Sequence, residues 1–451
     1  MDNLLLVTVD SLRADRAGWH GYDRPTTPNL DKVVESGHVF ENAFAHACST
    51  RPSFPSILAS SYPLMYGGFE RIADGRTLVS ETLAEGGYRS GGFHSNLYLS
   101  ADFGYDRGFE TLHDSKTNPS ATARLRQIVK DRLNDDGLPY RLLARGFEIA
   151  ERRTGANVGS AYVNADEITD RAIEWARGAD AGTPQFLWVH YMDVHHPYVP
   201  PERHQRAFRD EPVGERSAIQ LRRKMIEAPD EVTDGEIDTI GDLYDAEIRF
   251  ADAEIARLVE AVRSAWDGDT GLVVTADHGE EFREHGRFSH HATFYDEVLH
   301  VPLLVDIGDG GGRHDELVGL LDVAPTLVDY AGLSRPETFY GESLRGPIEG
   351  SGWERTAVIG DWQTDAGERR FAYRDVDWKL IRRPDREELY DLGADPGETT
   401  NVRGEHADVA DRLGERLDEH ERAVEATATD LGTIEMDEGV KQRLRDLGYQ
   451  E

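Results

Sequence analysis

The sequence has few of the residues that are typical of disulfide-bonded, membrane-spanning and nucleic-acid-binding proteins. It contains one cysteine, Cys48, among 451 residues, so an internal disulfide is impossible and the fold needs no oxidising compartment. No apolar run approaches the ~18 residues of a membrane span, and the run from Leu4 to Val9 is too short for a signal-peptide core. These absences predict a cytoplasmic protein with no membrane span.

Positive charge is also scarce. Asp and Glu outnumber Lys and Arg by 85 to 50, which gives a formal net charge of -35, and this balance argues against nucleic acid as a partner. The acids are spread along the whole chain, and lysine is rare beside arginine. We interpret this composition as the salt-adapted surface of a halophilic protein; it gives no indication of the oligomeric state.

The apolar pattern predicts a doubly wound α/β sheet. Three apolar runs, at residues 4–9, 185–191 and 271–276, have the continuous hydrophobicity of strands buried on both faces of a parallel sheet. Residues 162–178 and 243–266 have apolar positions at helical spacing between polar ones, and strands that alternate with such helices indicate α/β layers.

The pattern of predicted secondary structure changes near residue 335. We predict a catalytic domain at residues 1–335 and a small C-terminal α+β subdomain at residues 336–451, because short strand patterns there precede an acidic helix pattern. Residues 118–160 are rich in Arg and Asp and helical in pattern. We interpret them as an insertion or a lid over the site.

Polar side chains follow the predicted strands where each one ends. Asp10 ends the first, and Asp277 and His278 follow the third; ligands gather at the carboxyl ends of strands in such sheets. A lone aspartate there commonly caps a helix, but two carboxylates and an imidazole together suit Zn²⁺, Mn²⁺, Ca²⁺ or Mg²⁺. We expect one divalent ion.

The stretch from Cys48 to Arg51 offers three candidate nucleophiles. Thr50 precedes a helix-like run, so its hydroxyl would lie where backbone N–H groups favour an anion. A hydroxyl beside a cation loses its proton more readily and becomes a nucleophile. The alternative is an ordinary helix cap.

Motifs along nearly the whole chain resemble the sulfatase family of the alkaline phosphatase superfamily. They include "LLLVTVDSLRADRAGWHGYDRPTTPNLD", "STRPSFPSILAS", "GYRSGGFHSN", "HYMDVHHPYVPP", "VTADHGEEFREHG", "HHATFYDEVLHVPLLV" and "EELYDLGADPGETTNV". The resemblance implies an alkaline phosphatase-like sandwich, with a large central mostly parallel sheet flanked by helices and a small C-terminal α+β subdomain.

The family motif implies Thr50 as the nucleophile. In formylglycine sulfatases the nucleophile begins a Cys(or Ser)-x-Pro-Ser-Arg stretch, and Pro52 and Ser53 align with its Pro-Ser pair, whereas Cys48 lies two residues too early and Phe54 replaces the arginine. Threonine is not converted to formylglycine. An unmodified threonine resembles the nucleotide pyrophosphatase/phosphodiesterase, lipoteichoic acid synthase and phosphoethanolamine transferase branches, which attack phosphorus.

The resemblance also implies the metal ligands. Asp10, Asp277 and His278 match the family's ligand positions, with Thr50 as a further ligand, while Ser11 replaces a second aspartate. The set therefore has one carboxylate fewer than in sulfatases.

Further positions are implied for the substrate. His195 matches the family histidine that contacts the anion, and His291 aligns with its second lysine, so both are candidates for binding and for proton donation to the leaving group. Arg51, His94 and Asn96 are the remaining candidates for substrate contacts.

Two alternatives concern the other polar residues of these motifs. A second metal ion could be held by Asp193, His195 and His291. Four more histidines are expected to give only supporting contacts, namely His190, His196, His285 and His290.

The predicted function is metal-dependent hydrolysis of a small anionic ester, with a phosphodiester or a phosphonate monoester as substrate. A sulfate ester hydrolase is the first alternative, since the family pattern favours it and the nucleophile opposes it. A phospho-headgroup transferase and a non-catalytic binding relative are the others.

Overall fold

The computed structural model describes residues 1–114, 162–290, 293–364, 366–429 and 431. The predicted lid segment at 118–160 and the candidate residue His291 lie outside these ranges.

An eight-stranded sheet forms the centre of the molecule. Its strands are β1 (Asn3–Val9), β2 (His38–Phe44), β3 (Arg89–Phe93), β4 (Thr111–His113), β5 (Gln185–Tyr191), β6 (Thr270–Ala276), β9 (Leu303–Asp306) and β10 (Gly312–Gly319). The short pair β7 (Glu281–Phe282) and β8 (Phe288–Ser289) forms a separate hairpin. The order is β10-β2-β9-β6-β1-β5-β3-β4, and β9 alone runs antiparallel to its neighbours, so the predicted mostly parallel sheet is confirmed.

The middle strands are buried because helices cover both faces. Every residue of β1 and β5 is buried, as expected for strands inside a parallel sheet. In the register of β1 with its neighbours, Val9 lies opposite Tyr191 of β5 and Ala276 of β6. The residues that follow these three strands therefore meet at one edge of the sheet.

The α-helices of the described residues include one at each of the two positions predicted with bounds, 162–178 and 243–266. They are α1 (Leu30–Val33), α2 (Thr50–Ala59), α3 (Val79–Glu85), α4 (Ala165–Arg177), α5 (Glu202–Gln205), α6 (Glu215–Glu227), α7 (Asp234–Ala265), α8 (Asp296–Leu299), α9 (Val323–Tyr330), α10 (Arg345–Ile348) and α11 (Ala407–Ala426). Helix α7 begins nine residues before the predicted start at 243, because Glu236 accepts a hydrogen bond from Thr233 N at 2.8 Å and caps a polar first turn. Among the described helices, none combines the length and the apolar content of a membrane-crossing segment.

A second, antiparallel sheet follows near the C-terminus. It consists of β11 (Val358–Gln363), β12 (Arg369–Arg374), β13 (Trp378–Arg382) and β14 (Glu387–Asp391), in that order. One face packs against α11 and the other against the main core. This confirms a small C-terminal α+β unit, while the predicted boundary at residue 335 stays a prediction.

Candidate active site

Two carboxylates meet at the carboxyl edge of the central sheet. Asp10 follows β1, Asp277 follows β6, and both are fully buried. Ser11 joins them: its Oγ donates to Asp10 Oδ1 at 2.7 Å, and its backbone N–H donates to Asp277 Oδ1 at 3.2 Å. Ser11 reaches both because its backbone has a positive φ of 58°, which turns the chain sharply after the strand.

His278 presents one ring nitrogen to these carboxylates. Its Nδ1 donates to the carbonyl oxygen of Gly279 at 2.8 Å, because a carbonyl can only accept. The neutral ring therefore keeps its lone pair on Nε2, which lies 3.6 Å from Asp277 Oδ2 and 3.8 Å from Asp10 Oδ1. This is the tautomer that a metal-binding imidazole requires.

His190 also belongs to this cluster, although the sequence predicted only a supporting contact for it. It lies in β5, its Nδ1 is 3.0 Å from Thr8 Oγ1, and its Nε2 is 3.5 Å from Asp10 Oδ2. One ligand atom each of Asp10, His190 and Asp277 lies within 4.8 Å of the others. Within the described residues, His190 Nε2 and Asp277 Oδ2 are buried and have no hydrogen-bond partner.

The two carboxyl groups differ in their electrostatics. Burial raises the pKa of Asp277 well above its ordinary value, and the charge of Asp10 raises it further. Burial also raises the pKa of Asp10, but the charges of His195, His278 and His190 lower it more, so the net direction is down. A divalent cation would stabilise the charged form of both carboxyl groups.

Thr50 lies directly beside the cluster. It is the first residue of α2 and is fully buried. Its Oγ1 donates to Asp10 Oδ2 at 3.0 Å and lies 3.4 Å from His278 Nε2. The structure thus brings together Asp10, Thr50, Asp277 and His278.

Cys48 lacks the chemistry of a nucleophile. Its side chain is buried, and burial raises the pKa of the thiol to about 12. A thiol with so high a pKa is not ionised near neutral pH and is inert.

His195 lies on the same side of the site as Asp10. Its Nδ1 donates to the carbonyl oxygen of His196 at 2.7 Å, which fixes the orientation of the ring. Its charge is the largest of those that lower the pKa of Asp10. His196 itself is held by Ser289, whose Oγ is 3.2 Å from His196 Nε2.

His290 and Glu280 form a buried pair next to His278. The ring centroids of His290 and His278 are 4.4 Å apart, and His290 Nδ1 lies 3.3 Å from Glu280 Oε1. Tyr198 donates to Glu280 Oε2 at 2.9 Å. Burial raises the pKa of Glu280 to about 7. The pair thus packs against His278 through the His290 ring.

The three remaining candidates for substrate contacts have different surroundings. Arg51 forms an ion pair with Glu70, and its guanidinium lies 4.8 Å from the Tyr98 ring centroid. The Asn96 side chain accepts from Tyr98 N at 3.0 Å and caps a short helical turn. The His94 ring is fully buried, and neither ring nitrogen has a hydrogen-bond partner within the described residues.

Asp193 contacts the start of helix α4. Its Oδ1 accepts from the backbone N–H of Ala165, the first residue of α4, at 3.0 Å. Burial raises its pKa to about 7. A second metal held by Asp193, His195 and His291 stays a prediction, because His291 lies outside the described residues.

The sequence did not predict the roles that Ser11 and His190 have in the cluster. Ser11 stands where the family has an aspartate, so the sequence indicated a lost ligand and not the hydrogen bonds that orient two others. His190 interrupts an otherwise apolar strand, and a polar side chain inside such a strand needs a partner. That signal was present in the sequence.

Comparison with known proteins identifies the relatives of this chain. A family model described as Sulfatase matches residues 2–333, and one described as N-sulphoglucosamine sulphohydrolase, C-terminal, matches residues 283–423. An arylsulfatase of Clostridium perfringens is 25% identical over 447 residues, covering 89% of this chain and 90% of its own. Arylsulfatase K of Bos taurus is 23% identical, covering 92% of this chain and 81% of its own.

Solved structures show the same fold. A protein in complex with its substrate D-glucosamine-2-N,6-O-disulfate matches with a TM-score of 0.72 and 18% identity, over 94% of this chain and 98% of its own. The phosphonate monoester hydrolase of Agrobacterium radiobacter matches with a TM-score of 0.70 and 22% identity, over 94% of this chain and 95% of its own.

Proposed function

The chain belongs to the sulfatase family, whose members hydrolyse anionic esters, and from this premise we propose a metal-dependent hydrolase in which Thr50 is the nucleophile. The substrate we favour is a phosphonate monoester or a phosphodiester. The observation that carries the proposal is the position of Thr50 Oγ1, 3.0 Å from Asp10 Oδ2 and 3.4 Å from His278 Nε2.

The donor set suits one divalent cation. Asp10, Asp277 and His278 would hold it, with His190 as a fourth ligand, since His190 Nε2 and Asp277 Oδ2 are buried without hydrogen-bond partners in the described residues. Two carboxylates with two imidazoles are ligands that Zn²⁺ and Mn²⁺ both accept. When bound, such an ion supplies positive charge that stabilises the transition state and favours the ionised Thr50 hydroxyl.

The residues of the chain account for the proton and bond changes. Thr50 Oγ1 donates to Asp10 Oδ2, so we assign the Thr50 proton to this carboxylate as Oγ1 attacks phosphorus. The bond from phosphorus to the leaving oxygen then breaks, and His195, whose Nδ1–H is held by the carbonyl oxygen of His196, protonates that oxygen from Nε2 when the ring carries two protons. Water then attacks the phosphorus of the phosphothreonine and gives a proton to Nε2 of the neutral ring, the bond from phosphorus to Oγ1 breaks, and Oγ1 takes back the proton held by Asp10.

Thr50 favours phosphorus over sulfur. A threonine has one hydroxyl, so it lacks the second hydroxyl with which the formylglycine diol expels sulfate. The fold shared with a phosphonate monoester hydrolase is consistent with this choice.

A sulfate ester is the second candidate. Both matching family models and the arylsulfatase relatives favour it. The two candidates make opposite predictions for one set of substrates.

The test is hydrolysis of matched 4-nitrophenyl esters, namely the sulfate, the phosphate, the phenylphosphonate and the bis-phosphate, with added Mn²⁺ or Zn²⁺. We expect the phosphonate or the diester to react fastest. Thr50→Ala should lower kcat/KM by about a thousandfold or more, as loss of a nucleophile does. Cys48→Ala is the matched control and should keep the activity.

Each other outcome selects an alternative. Preference for the sulfate would establish a sulfatase, and product transfer to added glycerol in place of water would favour a headgroup transferase. No hydrolysis by protein that contains bound metal would favour a binding relative. Assays at low and at high KCl also test the salt adaptation that the acidic composition suggests.

A further inference from the structure

A chain of buried polar side chains ends at His190, the fourth ligand of the proposed cation. Its members are Thr8 of β1 and Trp188 and His190 of β5, and each of the three is fully buried. Thr8 lies opposite His190 in the parallel register, and Trp188 precedes His190 by two residues, so the three side chains share one face of the sheet. Polar groups this deep in a core need hydrogen-bond partners.

The indole of Trp188 makes the first hydrogen bond of the chain. Its Nε1 lies 3.1 Å from Thr8 Oγ1, and an indole nitrogen can only donate. One lone pair of the Thr8 hydroxyl is therefore occupied by Trp188. The indole is held in place because the rings of Phe54 and His94 pack against it, with centroids at 5.5 and 5.1 Å.

The other positions of the Thr8 hydroxyl can be assigned in the same way. A hydroxyl donates one hydrogen bond and accepts up to two. Thr8 Oγ1 donates to the carbonyl oxygen of Val189 at 3.5 Å and lies 3.0 Å from His190 Nδ1. With its proton on Val189, the hydroxyl accepts from His190 through its second lone pair. All three positions are then used, and His190 carries its proton on Nδ1.

The other tautomer of His190 leaves two groups unpaired. With the His190 proton on Nε2, Thr8 would donate to Nδ1, and its second lone pair would have no donor. The Nε2 proton would itself be buried without a hydrogen bond, because Asp10 Oδ2 lies 3.5 Å away and Nε2 has no hydrogen-bond partner within the described residues. Buried polar groups without partners are costly, so the contacts favour the proton on Nδ1.

We infer that Thr8 and Trp188 are positioning residues for the cation site, which keep the His190 proton on Nδ1 and so present the Nε2 lone pair to the metal ion. A metal-binding imidazole uses an unprotonated nitrogen, and the hydrogen bond of its other nitrogen fixes the tautomer and the ring. The carbonyl oxygen of Gly279 holds His278 in the same form. The inference rests on the proposed function, because it concerns the cation that the proposed hydrolase requires.

The test is the Kd for Mn²⁺ and for Zn²⁺, measured by competition with a chelating dye. Thr8→Val keeps the shape of the side chain and removes the hydroxyl. We expect it to raise the Kd by about tenfold or more, as loss of a group that orients a metal ligand does. Thr8→Ser keeps the hydroxyl and should restore the affinity of the wild type. Trp188→Phe removes the donor to Thr8 and should raise the Kd by a smaller factor.

Thr275→Val is the matched control. Thr275 lies opposite Thr8 on the neighbouring strand β6 and is fully buried. It precedes Asp277 by two residues, as Thr8 precedes Asp10. Its hydroxyl donates to the carbonyl oxygen of Ala276 at 3.3 Å, so the same substitution removes no hydrogen bond to an imidazole. The Kd of this variant should equal that of the wild type, whereas a general disturbance of the buried strands would affect both variants alike.

A double-mutant cycle shows whether Thr8 acts through His190. In the His190→Ala background, Thr8→Val should leave the Kd unchanged, because the ring that Thr8 orients is gone. Thr8→Ala replaces the valine variant if that variant does not fold.

Two results would overturn the inference and leave the proposed function intact. One is an equal Kd for Thr8→Val and Thr275→Val, and the other is a further loss of affinity by Thr8→Val in the absence of His190. A wild type that binds neither cation would instead overturn the proposed function, and the inference with it.

Discussion

Two buried charge clusters of this protein are built in opposite ways. The first lies at the carboxyl edge of the central sheet and consists of Asp10, His190, Asp277 and His278. The second lies under the C-terminal sheet and consists of Asp296, Arg374, Lys379 and Glu398.

The difference between them is the supply of positive charge. Under the C-terminal sheet, the buried Lys379 contacts two carboxylates, so the chain provides its own counter-ion. At the sheet edge, Asp277 Oδ2 has no partner within the described residues, and burial raises its pKa. A buried charge without a partner is costly. The first cluster is therefore suited to the cation that we propose, whereas the second is balanced by the chain's own lysine and arginine.

The largest expected effect comes from Asp277→Asn. The amide removes a ligand and should lower kcat/KM by about a thousandfold or more, as loss of a group that acts in the transition state does. In the presence of a chelator the same change should raise the free energy of unfolding by about 1 kcal/mol, because a buried like-charge neighbour of Asp10 is removed. Initial rates and thermal unfolding with EDTA measure the two effects.

A loss of stability in EDTA would contradict the comparison, since Asp277 would then be a structural group like those under the C-terminal sheet. Thermal unfolding of the wild type with and without Mn²⁺ is the control. A cation that binds only the folded state should raise the Tm of the wild type and not that of the variant.

Lys379→Met should have the reverse profile. The change leaves Asp296 and Glu398 buried without their counter-ion, and loss of one partner of a buried pair costs about 3–5 kcal/mol. Activity per folded molecule should change little, because Lys379 lies in the second cluster. Urea unfolding measures the free energy, and active-site titration counts the folded molecules.

The matched control is Lys224→Met. Lys224 also forms an ion pair, with Glu236 at 2.6 Å, but the two side chains are 28% and 31% exposed. Exposed pairs contribute about 0–1 kcal/mol. If the two variants lose the same free energy of unfolding, burial does not determine how much these ion pairs contribute to stability.

The sequence predicted the two clusters unequally. Asp10 and Asp277 each directly follow a strongly apolar run that predicts a strand. Because parallel strands bring their carboxyl ends to one edge of the sheet, the two residues could be predicted to lie together. Motif register added Thr50 and His278. No comparable pattern marks Lys379. A lysine in the short strand pattern of residues 378–382 predicts an exposed side chain, and its burial follows only from the packing of the C-terminal sheet on the main core.

The same limit applies to the charged residues on the inner face of the C-terminal sheet. The strands there could be predicted from their short alternating patterns, but the pairing of Arg374 with Lys379 depends on the cross-strand register. Register is set by turns and by packing of the buried face. A sequence without homologues does not fix either, so the strands were predictable and the charges that they bring together were not.

The smallest expected effect is the pH dependence of the stability that two histidines, His46 and His285, contribute. His46 is buried where the C-terminal sheet meets the catalytic part, and its Nδ1 donates to the carbonyl oxygen of Ile359 at 2.7 Å. Burial lowers its pKa to about 3 from 6.5. As the pH falls below about 6.5, the unfolded chain binds a proton at His46 and the folded protein does not, so this contribution to stability is lost towards acid.

The His46→Gln variant has no such titration. The difference in unfolding free energy between wild type and variant should therefore fall by about 2 kcal/mol from pH 7 to pH 5. His285→Gln gives the opposite sign. Although burial lowers the pKa of His285, its ion pair with Glu297, at 3.4 Å, raises that pKa above the ordinary value. The stability that His285 contributes is therefore present at low pH and is lost as the pH rises. Urea titrations at four pH values measure the difference in unfolding free energy between the wild type and each variant. If that difference changes with pH in the same direction for both variants, the assignment of opposite pKa shifts to His46 and His285 is wrong.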